Sequence, residues 1–424
     1  MSQFIYEKDD KGLSIQEIRQ GLLKSLENRK LKKVLILPPD FTRFYSNGGL
    51  ITNMYYHILR ELGCQVDIMP ALGTHAPVTR EEAAMMFGDI PYEELIPHDW
   101  RNDVVKIGEV PADFLSGITN GLWNESVEVE VNKRLMDPSY DLILSIGQVV
   151  PHVIVGMGNH TKNIFVGTGG SDMISKSHMI GAINGVDNNL GRDHTPVRKL
   201  FDYAYEHFLY DRPIVYVLTV CTAPENKIRQ HGMFIGHGRD VFEAGVALAQ
   251  IHNVTHLEKP LKKCVAYLDP LEFKSTWVGT KALYRTCMAM EPGGHLLILA
   301  PGVHTFGEAP DVDVILRKYG YSGQENLMER YHDPEDPTLR ENLAAASHLL
   351  LGSVAYGKFK VTWAVQKEFI PDVLAIGYDA ADYEEIIKTF NPEKLHYGEQ
   401  TMEDGENIFY IPNPAIGLWI NDNR

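Results

Sequence analysis

The chain has 424 residues, of which 44% are hydrophobic and 23% are charged, and its formal net charge at pH 7 is −16. These fractions are typical of a globular protein, and the length favours two domains. A broad nucleic-acid surface would need clustered Lys and Arg, which the acidic balance argues against. No segment approaches the roughly 20 apolar residues of a membrane span. We therefore expect neither nucleic acid nor a membrane as a partner.

The first residues and the cysteines favour a cytoplasmic location. The stretch MSQFIYEKDD lacks the basic and apolar regions of a secretory signal. Cys64, Cys221, Cys264 and Cys287 lie far apart, which is typical neither of a disulfide framework nor of a CxxC metal site. We expect four buried, reduced thiols.

Apolar strands and amphipathic helices alternate along the first part of the chain. Ser14 and Glu17 form a capping-box pattern at the start of a helix over 14–28. Continuous apolar strands between helices predict a mostly parallel sheet covered on both faces. The other elements predicted in this part are strands at 33–37, 65–69, 141–146 and 213–220, and helices at 49–62, 80–88 and 240–251.

A polar segment with a proline, 252–262, separates this pattern from a second one. We predict an α/β fold with two domains: a cofactor-binding domain at 1–260 and a second domain at 261–407 that contributes to the substrate pocket. The active site is expected in the cleft between them. Segment 408–424 is a candidate to return to the first domain, because chain termini often lie close together. The second pattern predicts strands at 264–268, 295–300 and 372–376, a turn at 293–294, and helices at 280–291, 311–319 and 338–352.

Three polar segments follow predicted strands and carry most of the chemistry. They are Pro39-Asp-Phe-Thr-Arg43, Leu72-Gly-Thr-His75, and the stretch 151–167, whose glycines let a backbone approach a bulky ligand closely. If the strands are parallel, these segments meet at one rim of the sheet, where open α/β proteins bind ligands. Neutral imidazole binds Ni, Zn, Cu or Fe, so one histidine could be a metal ligand and the others acid–base groups. The residues themselves leave the metal open.

Taken together, these motifs resemble the nickel-dependent lactate racemase family. His152 lies ten residues before Lys162, and His178 lies sixteen residues after it, as in that family. Lys281, twelve residues before Gly293, matches a lysine of the family's substrate pocket. The stretch from His304 to Glu308 is similar to a later loop of the family. The resemblance covers nearly the whole chain.

The resemblance implies a nickel-pincer nucleotide, the nickel complex of pyridinium-3,5-bisthiocarboxylic acid mononucleotide, tethered to Lys162. It also leaves cofactor-biosynthesis proteins as candidate partners, and the sequence leaves a homo-oligomer open. The roles that we assign are acid–base catalysis by His75 and His152, nickel binding by His178, cofactor binding by Lys162, Asp40, Thr42, Gly158, Gly167, Gly169 and Gly170, and substrate binding by Arg43, Lys281 and Trp277.

Two departures from the family pattern predict a remodelled site. Asn159-His-Thr161 stands where the family has Gly-Gly-Arg, and Trp277-Val278 replaces an aromatic–amide pair. We therefore expect a longer polar substrate, such as an aldonic acid, rather than lactate. The polar residues that could bind its extra hydroxyls are Asn159, His160, Thr161, Thr276, His304 and Glu308.

The implied activity is racemisation or epimerisation at C2 of a 2-hydroxy acid. The C2 hydrogen is a poor acid beside a carboxylate, so transient hydride transfer to the cofactor avoids a dianion. Inversion in both directions calls for a base on each side, which two histidines can supply. A dehydrogenase using free NAD is disfavoured by the missing GxGxxG fingerprint. A carrier that holds nickel or its nucleotide without turnover stays an alternative.

Overall fold

The computed structural model describes residues 2–224, 227–307, 310–415 and 417–422. The chain divides into two compact units. The first contains Met1–Ile180 and Asn188–Asn253, and the second contains Gly181–Asp187 and Val254–Arg424. The last of these changes, between residues 253 and 254, falls within the polar segment that the sequence marks as a boundary.

The chain up to residue 253 supplies ten strands and ten helices among the described residues. In chain order they are β1 Gln3–Tyr6, α1 Ile15–Leu26, β2 Lys33–Leu37, α2 Gly48–Glu61, β3 Gln65–Ile68, α3 Arg80–Phe87, β4 Val104–Val110, α4 Ala112–Ile118, β5 Val127–Asn132, α5 Lys133–Met136, β6 Leu142–Gln148, β7 Pro151–His152, β8 Gly156–Met157, α6 Thr161–Phe165, α7 Ser171–Asn184, α8 Val186–Asn189, α9 Pro196–Phe208, β9 Ile214–Thr222, β10 Arg229–Gly236 and α10 Arg239–His252.

The main sheet of the first unit has six strands in the order β1-β10-β9-β6-β2-β3. The four strands from β9 to β3 are parallel, and β10 and β1 add an antiparallel edge. Residues 34 to 37 of β2 are fully buried, as expected for a strand with both faces covered. Ile18 of α1 and Ile51 of α2 join Val34 in one hydrophobic cluster. The predicted α/β class with mostly parallel sheets is confirmed.

A local sequence signal sets the start of the first helix. The Ser14 hydroxyl accepts a hydrogen bond from the Glu17 amide at 3.3 Å, and the Glu17 carboxylate accepts one from the Ser14 amide at 3.0 Å. The predicted capping box is therefore present at the start of α1.

Strand register places three loops at one edge of this sheet. Strand β2 lies between β3 and β6, with Ile36 opposite Ile68 and Leu37 opposite Ser145. A bridge between Pro39 and Ala71 extends the β2–β3 pairing into the loops. Because the strands are parallel, the loops after β2, β3 and β6 emerge together, as the sequence predicts.

The second unit contains another six-stranded sheet, in the order β15-β14-β13-β12-β17-β16. All its pairings are parallel except that of β16 with β17. The described elements from residue 254 onward are β11 Val254–Leu257, β12 Leu261–Tyr267, α11 Thr276–Gly279, α12 Lys281–Thr286, β13 Met290–Leu299, α13 Pro310–Tyr319, α14 Gln324–His332, α15 Thr338–Glu341, α16 Leu343–Gly352, β14 Lys360–Val365, α17 Ile370–Ala375, β15 Asp379–Asp382, α18 Tyr383–Ile386, β16 Gly398–Thr401, β17 Asn407–Ile411 and β18 Leu418–Asn421.

Several predictions for the second unit are wrong. The segment 372–376 belongs to helix α17, because Pro371 suits the first turn of a helix. The strand of this region is β14, Lys360–Val365, which we did not predict from the sequence. The helix predicted at 280–291 ends at Thr286, and residues 293–294 lie within β13. The segment 408–424 does not return to the first unit, since β17 pairs with β12 and β18 pairs with β11.

All four cysteines are buried and free, in agreement with the expected thiols. Among the described residues, no helix combines the length and apolar character that crossing a bilayer requires.

Candidate active site

The loops after β2 and β3 are joined by a carboxylate–histidine pair. Asp40 follows β2, and its carboxylate accepts hydrogen bonds from Nδ1 of His75 and, at 2.6 Å, from the hydroxyl of Thr42. Burial alone would raise the pKa of Asp40, but the His75 hydrogen bond and the charges of His75 and Arg43 bring it below its usual range. Asp40 is therefore ionised. It fixes the ring of His75 through Nδ1, and the His75 side chain is 42% exposed, so Nε2 is left to contact a ligand.

Arg43 follows β2 in the chain and lies within a 3₁₀ helix over Phe41–Ser46. Its backbone departs from helical values, with φ −113° and ψ 30°. Within the described part of the chain, its guanidinium has neither a hydrogen bond nor an ion pair. A planar fork of five donors beside this loop is suited to binding a carboxylate.

Lys162 is the second residue of α6, in the segment that follows β6. Burial is the main cause that lowers the pKa of Lys162 to about 7, and the cation of Arg43 lowers it further while Asp40 opposes. Its ammonium has no hydrogen-bond or ion-pair partner in the described ranges. A large fraction of this lysine is therefore unprotonated at neutral pH, which makes its amine a nucleophile.

His178 lies in α7 with its tautomer set by the helix backbone. Nδ1 donates a hydrogen bond to the carbonyl of Ile174 at 2.6 Å, which leaves a lone pair on Nε2. Burial lowers the pKa of His178 to about 4, and the nearby charges of Lys162 and His75 add to this, against the effect of the Ile174 hydrogen bond. A neutral imidazole whose other nitrogen is anchored is the usual state of a metal ligand.

These electrostatic couplings show which predicted residues the structure brings together. The pKa of Lys162 responds to Arg43 and Asp40, and that of His178 responds to Lys162 and His75. Four side chains therefore lie near one another at the edge of the sheet. They are the amine of Lys162, the guanidinium of Arg43 and the imidazoles of His75 and His178.

His152 occupies the short hairpin after β6. It pairs with Gly156, and its Nδ1 accepts a hydrogen bond from the amide of Ile154 at 3.2 Å. This bond assigns the proton to Nε2 in the neutral ring. The hairpin is at the expected edge of the sheet, and a catalytic role of His152 stays a prediction.

The glycines predicted to bind cofactor have structural reasons of their own. A Cβ at Gly167 or Gly169 would overlap the carbonyl of Asn163 or Phe165. A Cβ at Gly170 would overlap the side chain of Glu130. Close packing therefore explains these three glycines without a ligand. At Gly158 a Cβ would meet its nearest neighbour, the carbonyl of Val150, at an ordinary 3.4 Å.

Four of the residues considered for binding substrate hydroxyls are buried within their own units. Asn159, His160, Thr161 and Thr276 are each at most 8% exposed. The Asn159 side chain accepts from the next amide at 2.7 Å, and the Thr276 hydroxyl donates to the carbonyl of Phe306 at 3.2 Å. These side chains serve local structure, which the sequence reading did not foresee.

The remaining predicted residues lie in the second unit. Trp277 stacks on His348 with ring centroids 3.9 Å apart, and Lys281 begins α12 with its ammonium 3.6 Å from Glu272. His304 is exposed, and its Nδ1 donates to the carbonyl of Gly302 at 2.7 Å. Glu308 lies outside the described residues. The substrate-binding roles of Trp277 and Lys281 stay predictions.

A second group of ligand-type side chains consists of Glu7, His231 and His252. The two rings are stacked, with centroids 3.7 Å apart and planes 12° from parallel, so their in-plane lone pairs do not converge on one ion. His231 is also bonded to Glu7 at 2.6 Å and to Thr222 at 2.8 Å. This group is a hydrogen-bonded cluster.

A third group, Asp193, His194 and Glu243, already holds a cation. The guanidinium of Arg239 contacts Asp193 at 2.5 Å and Glu243 at 3.1 Å. Neither of these two groups competes with His178 as a candidate metal ligand.

The fold and this group of residues define an α/β protein with cationic and imidazole side chains at the carboxyl edge of its first sheet. Residues 14–191 match the family model described as the lactate racemase N-terminal domain. This match covers the part of the chain that carries Asp40, His75, Lys162 and His178.

Two solved structures share the fold. A Thermotoga maritima protein from a structural genomics consortium aligns with 98% of this chain and all of its own, at 22% identity and a TM-score of 0.83. The lactate racemase apoprotein from Thermoanaerobacterium thermosaccharolyticum aligns with 95% of this chain and 92% of its own, at 18% identity and a TM-score of 0.70. No curated protein matches the chain.

Proposed function

We propose that this protein is a racemase or epimerase that inverts C2 of a 2-hydroxy acid with a nickel-pincer nucleotide as its cofactor. The match of residues 14–191 to the lactate racemase N-terminal domain supports this class of isomerase. The observation that carries the proposal is the group at the sheet edge, in which the Asp40–His75 pair is electrostatically coupled to Lys162 and His178.

The residues of the site fit this cofactor. Lys162 offers an amine that is nucleophilic near pH 7, as a covalent attachment requires. His178 offers a lone pair on Nε2 of a neutral ring, as nickel requires. When bound, the group supplies the hydride acceptor that protein side chains lack.

The protein's own residues bind the substrate and move its hydroxyl proton. The unpaired guanidinium of Arg43 binds the substrate carboxylate, an interaction worth about 1.5–3 kcal/mol for a charged hydrogen bond. Nε2 of His75 accepts the hydroxyl proton, because Asp40 stabilises the imidazolium that results. In the reverse direction, His75 donates a proton to the same oxygen. A positioned base of this kind contributes about 10²- to 10⁴-fold to the rate.

Inversion requires a second acid–base group, which donates a proton to the oxygen of the 2-oxo acid when hydride returns to its other face. His152, in the hairpin after β6, is the residue that we assign to this role, and its protonation at Nδ1 requires release of the hydrogen bond from the Ile154 amide. The two histidines then exchange the roles of acid and base with the direction of the reaction.

The substrate class is a 2-hydroxy acid. An aldonic acid would need partners for its additional hydroxyls, and Asn159, Thr161 and Thr276 are already buried and engaged within the protein. We also expect a cytoplasmic location, which the four free cysteines support.

The test uses protein from a cofactor-producing host, characterised by intact mass and nickel content. A nickel-bearing adduct is expected on the peptide that contains Lys162. This protein should interconvert the enantiomers of a 2-hydroxy acid in D₂O without added NAD and with the C2 hydrogen retained. Free entry of deuterium at C2 would contradict hydride transfer.

Single substitutions test the two-base assignment. His75→Ala and His152→Ala should each abolish inversion, whereas His207→Ala on helix α9 should not. Full activity of either site variant would remove that assignment. Loaded protein without turnover on a broad panel of hydroxy acids would instead indicate a carrier, and oxidation of a hydroxy acid with free NAD would indicate a dehydrogenase.

A further inference from the structure

The loop that leads to Lys162 has a strained backbone. Asn159 and His160 both have positive φ angles, 66° and 57°, in a region that non-glycine residues rarely adopt. Thr161 and Lys162 follow directly as the first two residues of α6. Two consecutive residues in this conformation persist only where surrounding contacts determine it.

Arg198, in α9, supplies such contacts from within the core. Its side chain is fully buried. One terminal nitrogen donates to the carbonyl of Met157 at 2.7 Å and to that of Asn159 at 3.1 Å. The other donates to the hydroxyl of Thr161 at 2.7 Å. A single guanidinium therefore holds the loop at three positions immediately before Lys162.

A second layer holds Arg198 and Thr161 in place. The Thr161 hydroxyl donates to Asp202 at 3.1 Å, and the other oxygen of Asp202 is 2.5 Å from the guanidinium of Arg239. The guanidinium of Arg198 lies over the ring of Phe242, at 4.2 Å from its centroid. These contacts hold the two terminal nitrogens of Arg198 and the Thr161 hydroxyl in one arrangement, so the guanidinium can impose its geometry on the loop.

His160 shows that the loop is held against an energetic penalty. Its ring packs on Tyr216 with centroids 4.0 Å apart and on Phe242 with centroids 5.1 Å apart. Both ring nitrogens are buried, and this burial lowers the pKa of His160 well below its usual range. A loop that relaxed would hydrate this imidazole, so other contacts must oppose relaxation.

We propose that Arg198 is a positioning residue for Lys162: it holds loop 157–161 in its strained conformation and so orients the lysine amine at the carboxyl edge of the sheet. The inference rests on the proposed role of Lys162 as the attachment point of the cofactor. Arg198 itself does not touch the substrate in this scheme.

The test measures the amine of Lys162 in protein without cofactor. N-hydroxysuccinimide acetate is applied at pH 7.5, and peptide mass spectrometry gives the acetylation rate of Lys162 relative to the exposed Lys30. Arg198→Met should lower this ratio about tenfold or more, because a released lysine returns toward a pKa near 10.4 and is then almost fully protonated. Arg198→Lys should retain part of the reactivity. Arg19→Met, an exposed position on α1, should not change the ratio.

Rescue separates positioning from general stability. Glycine adopts positive φ without strain, so Asn159→Gly should restore part of the Lys162 reactivity when combined with Arg198→Met. If Arg198→Met fails to fold, Thr161→Val retains Arg198 and removes its hydroxyl partner, and it should lower the ratio about threefold.

A folded Arg198→Met protein with unchanged Lys162 reactivity would overturn the proposal, as would an unchanged ratio in Thr161→Val. The result is independent of racemase activity. Absence of turnover in a loaded protein with normal Lys162 reactivity would count against the proposed function alone.

Discussion

Two regions with the same backbone plan, the carboxyl edges of the two parallel sheets, differ in what their loops carry. In the first unit, Asp40 follows β2 and is bonded to side chains of its own and the next loop, Thr42 and His75. In the second unit, Asp269 follows β12 and accepts a hydrogen bond from the amide of Leu271 at 2.8 Å, which caps a local turn. His304, after β13, is likewise bonded within its own loop.

The difference shows that parallel strands supply a location and that contacts between loops supply the chemistry. Asp40 connects two loops, is buried and stays ionised, so it imposes an orientation on His75. Asp269 makes a contact that many surface turns make. Burial of mutually coupled groups is therefore the property that distinguishes the first edge.

We expect the largest effect on the rate of C2 inversion from removing the negative charge of Asp40. Asp40→Asn should lower the rate of C2 inversion about 10²-fold or more, because a neutral amide neither fixes the His75 tautomer nor stabilises its protonated form. The matched substitution Asp269→Asn should change the rate less than about twofold. Steady-state rates of both loaded proteins provide the measurement. Equal effects would mean that the two edges do not differ as described.

A second comparison concerns two helical histidines with the same backbone hydrogen bond. His178 donates to the carbonyl four residues earlier at 2.6 Å, and His207 of α9 does so to Tyr203 at 2.8 Å, but His207 is exposed. His178→Ala should reduce bound nickel about tenfold or more, since one ligand is lost. His207→Ala should leave it unchanged. Nickel per protein, determined by elemental analysis, decides between a coordinating and a purely structural role for His178.

The sequence predicts much of the first edge because strand patterns and loop residues are local signals. Asp40, His75 and Lys162 all follow apolar runs that do form adjacent parallel strands. The prediction of a strand at 372–376 was wrong because a short apolar run does not distinguish strand from helix. Pro371, in the first turn, favours the helix.

Long-range packing is the part that the sequence does not reveal. Arg198 lies 36 residues after Lys162 in an amphipathic helix. The helix pattern predicts that a single arginine there is exposed to solvent. Gly167 and Gly169 were predicted to admit a ligand, yet their nearest neighbours are backbone carbonyls of the same segment. The residue types of Asn159 and His160 do not by themselves predict positive φ angles or burial. These features depend on partners elsewhere in the core, such as Arg198 and Tyr216.

The smallest effect concerns stability, and it tests the burial of Lys162 directly. Its pKa is about 7 in the folded protein and near 10.4 in an unfolded chain, so the unfolded state binds more protons between these values. Stability therefore rises with pH through this window, and the penalty of the buried ammonium is fully present below pH 7.

Lys162→Met removes this penalty and should raise the melting temperature of the cofactor-free protein at pH 6–7 by several degrees. The gain should shrink toward pH 10, where the lysine is neutral in both states. Lys367→Met, at an exposed position after β14 of the second sheet, should show no such dependence on pH. A constant difference between wild type and Lys162→Met across pH 6–10 would contradict the lowered pKa. The amine would then be as well solvated as that of Lys367, and the first edge would lose the property that makes its lysine a nucleophile.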